Sequence, residues 1–342
     1  MNVRIGLIGY GVGGRLFHAP YITAARDCEF AGIVTRSPDR VAQARADHPG
    51  VPVYGSLGEM TAAGLDAVTV STPPRTRREL VLEAVGLGLA VLADKPFAPS
   101  AQAGRELVEA AEAAGVLLNV FHNRRWDADI VTARKVLDSG ALGAVTRLDL
   151  RCDQDDPSTL EAGPDGGLLR DLGSHVVDQA LHLLGPARQV FAQLDESVLA
   201  SGKTDVGFTI TIVHDGGTHS HVSASKVNGL ESRELRLLGE QGSYVSDYRD
   251  VQVDAIRTGQ FPAQARDTWG YEQEVRWGVL AAGGKRRPVP SEQGDYTALY
   301  EAFAQAVRSG SGGPVPALEG VAVLEVLDAA RRSAQTGQVV SI

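Results

Sequence analysis

The sequence has little of what staples a small secreted fold. Its 342 residues include only 2 cysteines, 2 methionines and 3 tryptophans, and aromatic residues make up 6%. Cys28 and Cys152 cannot build a disulfide framework, and their separation matches none of the close spacings of zinc ligands. A reducing cytoplasm is therefore the expected compartment. Positive charge is also in deficit. The 33 Lys and Arg residues against 42 Asp and Glu leave a net charge of −9, which opposes non-specific attraction to nucleic acid or an anionic membrane. The longest apolar stretch, around 84–93, is broken by glycines and falls short of the roughly 20 residues of a spanning helix. The N-terminus enters a strand-like run with neither a basic leader nor a small-residue cleavage site, so no export signal is expected. These features imply no nucleic-acid or membrane partner, and an anionic ligand would have to be met by local groups.

What is present is ordinary globular material, 43% hydrophobic and 22% charged. At roughly 150 residues per core the length predicts two domains. Over 3–123, short β-branched runs at 3–8, 29–34, 67–70, 90–93 and 116–120 alternate with helical patterns at 16–25, 38–47, 76–86 and 101–114. That rhythm predicts an α/β domain, a parallel sheet with helices on both faces. After Asn123 it changes. Helices are expected at 129–139 and 171–184 and a strand at 145–152. Alternating runs at 190–194, 206–213, 220–225 and 234–239 follow, the pattern of a large, open, mostly antiparallel sheet in an α+β domain. Glycine-rich loops are expected at 163–167 and, between two terminal helices, at 309–316. The division predicted is 1–123 for dinucleotide binding and 124–342 for substrate binding and oligomerisation.

Gly9-Tyr10-Gly11-Val12-Gly13-Gly14 satisfies G-x-G-x-x-G between the first strand and the first helix. Its glycines permit a tight turn, close approach of a pyrophosphate to backbone N–H groups, and close helix-to-strand packing. About 20 residues on, where an NAD site would carry a carboxylate for the ribose, the chain reads Thr35-Arg36-Ser37, with no acid until Asp39. A guanidinium and two hydroxyls suit a 2′-phosphate, so NADP is the expected preference. The other reading makes Arg36 a solvated surface residue and the protein indifferent between NAD and NADP.

Asp171 and His175 are four apart and share a helix face; Asp178 and His182 extend it. The four span about three turns, too far for one ion without outside ligands, and no metal site is expected. By itself an Asp-His pair on a helix is as well read as a surface or capping pair.

The remaining motifs, in order, resemble the glucose-fructose oxidoreductase and inositol dehydrogenase family (Gfo/Idh/MocA). They are Ser71-Thr72-Pro73-Pro74, Asp94-Lys95-Pro96, and Gly166-Gly167 leading to Asp171-Leu172-Gly173-Ser174-His175-Val176-Val177-Asp178. Phe17-His18-Ala19-Pro20 and Asn123-Arg124-Arg125-Trp126-Asp127 further resemble the branch of NADP-dependent scyllo-inositol dehydrogenases and related sugar or polyol oxidoreductases. Two features depart from the pattern. Arg77 stands where the family often has a histidine, and the strand ending Arg151-Cys152-Asp153-Gln154-Asp155-Asp156 lacks a tryptophan common in that branch.

The resemblance implies interconversion of a secondary alcohol with its ketone on a sugar, inositol or sugar derivative. Lys95 would hold the reacting oxygen by a charged hydrogen bond. His175, with an ordinary pKa near 6.5, would exchange the hydroxyl proton, and Asp171 would orient the ring or accept a substrate hydroxyl. The cofactor would lie on Gly9, Tyr10, Gly11, Val12, Gly14, Thr35, Arg36, Ser37, Ser71, Thr72, Pro73, Asp94, Lys95, Asn123 and Arg124. Tyr244, Tyr248, Trp269 and Tyr271 are open between substrate walls and oligomer contacts, and the resemblance implies a homodimer or homotetramer built through the second sheet. Two alternative functions stand beside this one: an NAD-dependent glycosidase acting by transient oxidation, and a silent dinucleotide-binding regulator.

Overall fold

A computed structural model of the protein describes residues 2–163, 166–200 and 202–342. Of the expected loop at 163–167, Pro164 and Asp165 therefore lie outside the described residues. The chain forms two compact units. The first is Met1–Asn123, Val253–Trp269 and Asp295–Val321; the second is Arg124–Gln252, Gly270–Gly294 and Ala322–Ile342. The first crossing falls at the residue where the sequence pattern changes, but the chain then returns to the first unit twice, which no local pattern signalled.

The first unit opens with β1 (Val3–Ile8), α1 (Ala19–Ala24), β2 (Cys28–Val34), α2 (Pro38–Asp47), β3 (Val53–Tyr54) and α3 (Leu57–Ala62). It continues with β4 (Ala67–Val70), α4 (Pro74–Gly86), β5 (Ala90–Asp94), α5 (Ala101–Ala114) and β6 (Leu118–Phe121). All six strands are parallel in the order β3-β2-β1-β4-β5-β6, the doubly wound arrangement whose order reverses between β1 and β4. Helices cover both faces, so β1 and β4 are buried nearly throughout rather than at alternate residues. Two elements were not anticipated, β3 and α3, because two and six residues are too few to carry a period. The helix expected at 16–25 starts earlier, as a π-helical turn over Gly13–His18 that runs into α1.

The second unit holds α6 (Ala128–Asp138), β7 (Val145–Asp155), α7 (Leu168–Leu184), β8 (Ala187–Leu199), β9 (Gly202–His214), β10 (His219–Ser225), β11 (Val227–Gly239) and β12 (Gly242–Asp247). A short α8 (Val251–Arg257) crosses back to the first unit. Then come β13 (Gly278–Ala282), β14 (Lys285–Val289), α9 (Tyr296–Ser309), α10 (Ala317–Thr336) and β15 (Val340–Ser341). Nine strands form one sheet, β14-β13-β12-β11-β7-β10-β9-β8-β15, antiparallel except for the β7–β10 pair. Several strands outrun their expected bounds, β8 and β11 most of all, because neighbouring strands continue the ladder past the hydrophobic run. α7 lies against β7, β9 and β10 and buries one face of the sheet.

The α9 helix belongs to the first unit, where Tyr296, Tyr300 and Phe303 are fully buried against α1, β1 and β2. The β6 edge is closed by the return segment, through Val120 N–H donating to Val315 O at 3.0 Å and an isolated bridge from Asn119 to Pro316. This covers an edge that would otherwise be open to further pairing.

Buried charge sits inside the second unit. Arg125 binds Asp178 through Nε at 3.0 Å and Nη2 at 2.6 Å, both side chains nearly inaccessible. Arg233 reaches Asp127 at 2.5 Å and Asp129 at 3.3 Å and lies 4.3 Å over the Tyr248 ring. Burial pushes the Asp129 carboxyl up to about 7, with Asp127 and Glu272 adding to the rise and Arg233 opposing it.

Two outcomes follow from these pairs. Arg125→Met should cost about 3–5 kcal/mol in urea unfolding, because it strands a buried carboxylate, and Arg125→Met with Asp178→Leu should recover most of that loss. Because the folded-state pKa of Asp129 exceeds its unfolded value, the folded chain retains a proton that the unfolded chain releases. This group's own contribution to stability should therefore fall as pH rises from about 4 to about 7, read as a difference in chemical denaturation between the parent and Asp129→Asn that changes across this window.

Candidate active site

In the first unit β1 ends at Ile8 and the chain turns at once. Gly9 N–H donates to Val34 O at 2.9 Å, and Gly9 holds a φ of +100. A Cβ at Gly9 would meet Ser71 O at 2.4 Å, and one at Gly14 would meet Gly9 O at 2.1 Å, so backbone packing excludes any side chain at either position. Gly11 is different: the nearest atoms to its missing Cβ are those of the Arg40 guanidinium, from 3.8 Å. The turn is thus a tight cradle with an open lip, followed directly by helical N–H groups, the form a pyrophosphate requires. Tyr10 offers this cradle only its backbone. Its ring is buried and its hydroxyl donates to Asp47 Oδ2 at 2.9 Å, a carboxylate that also takes Arg15 Nε at 2.7 Å. Val12 is exposed at the tip.

At the end of β2, Thr35 is buried, whereas Arg36 is exposed and its Nε donates to Gly55 O at 3.1 Å. Ser37 precedes α2 with extended backbone. Arg40, one turn into α2, brings its guanidinium to the Gly11 lip. The sequence reading had not singled it out; its signal was the four-residue spacing from Arg36 at the start of a helix.

The next two strand ends meet at one carboxylate. Asp94 Oδ2 accepts from Ser71 Oγ at 3.2 Å, Asp94 Oδ1 accepts from the backbone N–H of Lys95 at 2.8 Å, and His18 Nε2 stands 3.5 Å from Oδ2. Burial works to raise the Asp94 carboxyl, but the His18 hydrogen bond, then the charges of His18, Arg77 and Lys95, outweigh it and hold it well below the carboxylate range. Deeper in, His18 Nδ1 lies 2.6 Å from the Tyr300 hydroxyl, and its ring packs on Phe121 at 4.1 Å between centroids. Arg77 is buried and braces both turns, with Nη2 donating to Thr72 O at 2.6 Å and Nη1 to Pro96 O. The Lys95–Pro96 peptide is cis. Gly9, Ser71, Thr72, Asp94 and Lys95 are therefore gathered at one edge of the sheet. A Cβ at Gly13 would fall 2.9 Å from Ser71 Oγ and 3.6 Å from Asp94 Oδ2, so the cradle and the lysine turn are neighbours. Asn123 is buried where β6 gives way to a 3-10 turn.

In the second unit Asp171 and His175 lie on successive turns of α7, whose first turn is capped by Asp205 Oδ2 accepting from Leu169 N–H at 2.6 Å. His175 is 7% exposed and borders a recess lined also by Arg124, Asp129, Arg151, Gln179 and Arg233. Asp171 takes a buried ammonium, Lys226 Nζ at 2.8 Å from Oδ2, a partner the sequence reading did not anticipate. Arg124 is committed to carboxylates, Asp250 at 2.9 Å and Asp127 at 3.3 Å. Asp178 belongs to Arg125, and His182 is half-buried, with desolvation first and then Arg125 lowering its pKa to about 4. Tyr244, Tyr248 and Trp269 are interior residues of their own units, and only Tyr271 is exposed.

A cradle, a lysine turn and a helix carrying Asp171 and His175 form a combination that can be compared with known proteins. The model for the GFO/IDH/MocA oxidoreductase family with an NAD-binding Rossmann fold matches residues 3–122, and that for the GFO/IDH/MocA C-terminal domain matches residues 130–245. The chain is 29% identical to the scyllo-inositol 2-dehydrogenase (NADP(+)) of Bacillus subtilis, over 100% of this chain and 96% of that protein. It is 31% identical to an uncharacterized oxidoreductase of Escherichia coli, over 98% of this chain and 97% of that one. A solved Bacillus subtilis structure with 29% identity gives a TM-score of 0.91, with all of both chains covered. Since both domain models and full-length relatives agree with the glycine cradle and the strand-end motifs, the chain belongs to the Gfo/Idh/MocA family of NAD(P)-dependent oxidoreductases.

Proposed function

We propose that the protein interconverts a secondary alcohol of an inositol, sugar or sugar derivative with the corresponding ketone, and that it prefers NADP(H) to NAD(H). The observation that carries this reading is the Asp94 junction, which presents Lys95 beside the glycine cradle. The cofactor fits that cradle: Gly9, Gly11 and Gly14 carry no side chain into the turn, Arg40 brings a guanidinium to the Gly11 lip, and Arg36 stands exposed at the end of β2. When bound, the dinucleotide supplies the hydride chemistry.

The chain's own residues supply the rest. The Lys95 ammonium holds the alcohol oxygen and stabilises the negative charge that grows on it. The His175 imidazole takes the hydroxyl proton in oxidation and returns it in reduction. Asp171 accepts a hydrogen bond from a substrate hydroxyl. Residues 1–123 carry the dinucleotide role, and residues 124–342 the substrate and assembly roles. Relatives support the substrate class: besides the scyllo-inositol enzyme they include an inositol 2-dehydrogenase of Rhizobium meliloti and a D-apiose dehydrogenase of Paraburkholderia graminis. Assembly as a homodimer or homotetramer would use the sheet face opposite α7, where Phe191 and Val245 are exposed.

The test is a screen of inositols, aldoses and ketoses with each dinucleotide, followed by nicotinamide absorbance alongside direct product analysis. Product formed without net change in the dinucleotide would replace this reading with the glycosidase one. His175→Ala should lower turnover by roughly 100-fold or more while leaving dinucleotide affinity unchanged. Replacing Arg36 and Arg40 together by Ala should weaken NADPH by about 10- to 100-fold and leave NADH binding nearly as it was, as measured by nicotinamide fluorescence.

A further inference from the structure

Lys226 stands at the junction of β10 and β11, where its backbone N–H donates to Val206 O at 3.1 Å. Its side chain is only 5% exposed, and burying an ammonium costs several kcal/mol unless it is well paired. Among the described residues it donates to Asp171 Oδ2 at 2.8 Å and Thr159 Oγ1 at 2.9 Å. The Asp171 side chain is itself 45% exposed. A buried cation beneath a half-exposed carboxylate is a poor stability device, since the charge that was desolvated serves a group still in contact with water. It is a good positioning device. The exposed part of the carboxylate stays within reach of a ligand while Lys226 holds it from the buried side.

The same ammonium also holds Thr159, which closes the short 3-10 turn Pro157–Thr159, and Thr204 Oγ1 donates to Glu161 O at 3.0 Å just beyond it. Thr159 and the Asp171 carboxylate are thus held by one ammonium.

We propose that Lys226 is the positioning residue for Asp171, holding its carboxylate aimed as the acceptor for a substrate hydroxyl, so that selection for hydroxylated over deoxy substrates depends on it. This rests on the proposed role of Asp171 in binding substrate. The tests are Lys226→Met, Lys226→Gln, Asp171→Asn and the double variants, assayed on the polyol with the highest turnover in the screen and on its deoxy analogues.

Each single variant should lower kcat/KM on the polyol by about 10- to 100-fold, and adding a Lys226 substitution to Asp171→Asn should lower it no further. The gap between the polyol and the deoxy analogue lacking the recognised hydroxyl should narrow in both single variants. NMR of 15N-lysine-labelled protein should show a slowly exchanging Lys226 ammonium signal that is lost in Asp171→Asn, whatever the substrate. An unimpaired Lys226→Met beside an impaired Asp171→Asn would overturn the inference, as would additive losses or a signal indifferent to Asp171. An unimpaired Asp171→Asn would instead overturn the role of Asp171 itself, and this inference with it.

Discussion

A single carboxylate organises the ligand edge of the first unit. Asp94 ends β5, and around it gather the Ser71 hydroxyl from the end of β4, the backbone of Lys95 and the imidazole of His18. Each partner belongs to a different part of the chain, and each would move independently without the shared acceptor. The arrangement is stable because the carboxylate is not left to burial alone: the hydrogen bond and charge of His18, then the charges of Arg77 and Lys95, offset the desolvation that works to raise it. Arg77 reinforces the junction from behind by holding the carbonyls of Thr72 and Pro96. A guanidinium at that position braces two turns at once.

The second unit uses buried charge differently. Arg125 and Asp178 lock α7 to the 3-10 turn at its side, while Arg233 gathers Asp127, Asp129 and Tyr248 beneath the sheet. These pairs fix orientation more than they add stability, since well-packed apolar groups would hold the same elements as firmly. What they secure is the attitude of α7, the helix that carries Asp171 and His175. The proposed chemistry needs those side chains held to within fractions of an ångström, and a helix pinned by an ion pair at Asp178 and by Asp205 at its first turn is a rigid support.

Motifs with local causes were legible in the sequence. Gly9, Gly11 and Gly14 could be read because steric exclusion acts between residues close in the chain or at a known strand end. Lys95, Asp171 and His175 stand out in the sequence through the order and spacing of their motifs. Arg40, Lys226 and the partner of His18 were not. Lys226 meets Asp171 across 55 positions and His18 meets Tyr300 across 282, and no periodicity carries a contact of that kind. Tyr10 shows the reverse case: its place in the glycine motif suggested a contact, yet its ring turns inward to Asp47, leaving only its backbone to the cradle.

By itself, the sequence determined the alternation of strands and helices, the cradle after β1, the change of class at Asn123 and the family to which the chain belongs. These are written in hydrophobic period and in short motifs, which act over a few residues. Only the tertiary structure decided that α9 completes the first unit rather than the second, that β7 and β10 pair in parallel, that Asp94 is a junction, and that a buried lysine stands under Asp171. Those outcomes depend on which distant surfaces bury one another and which charges must be paired once water is gone.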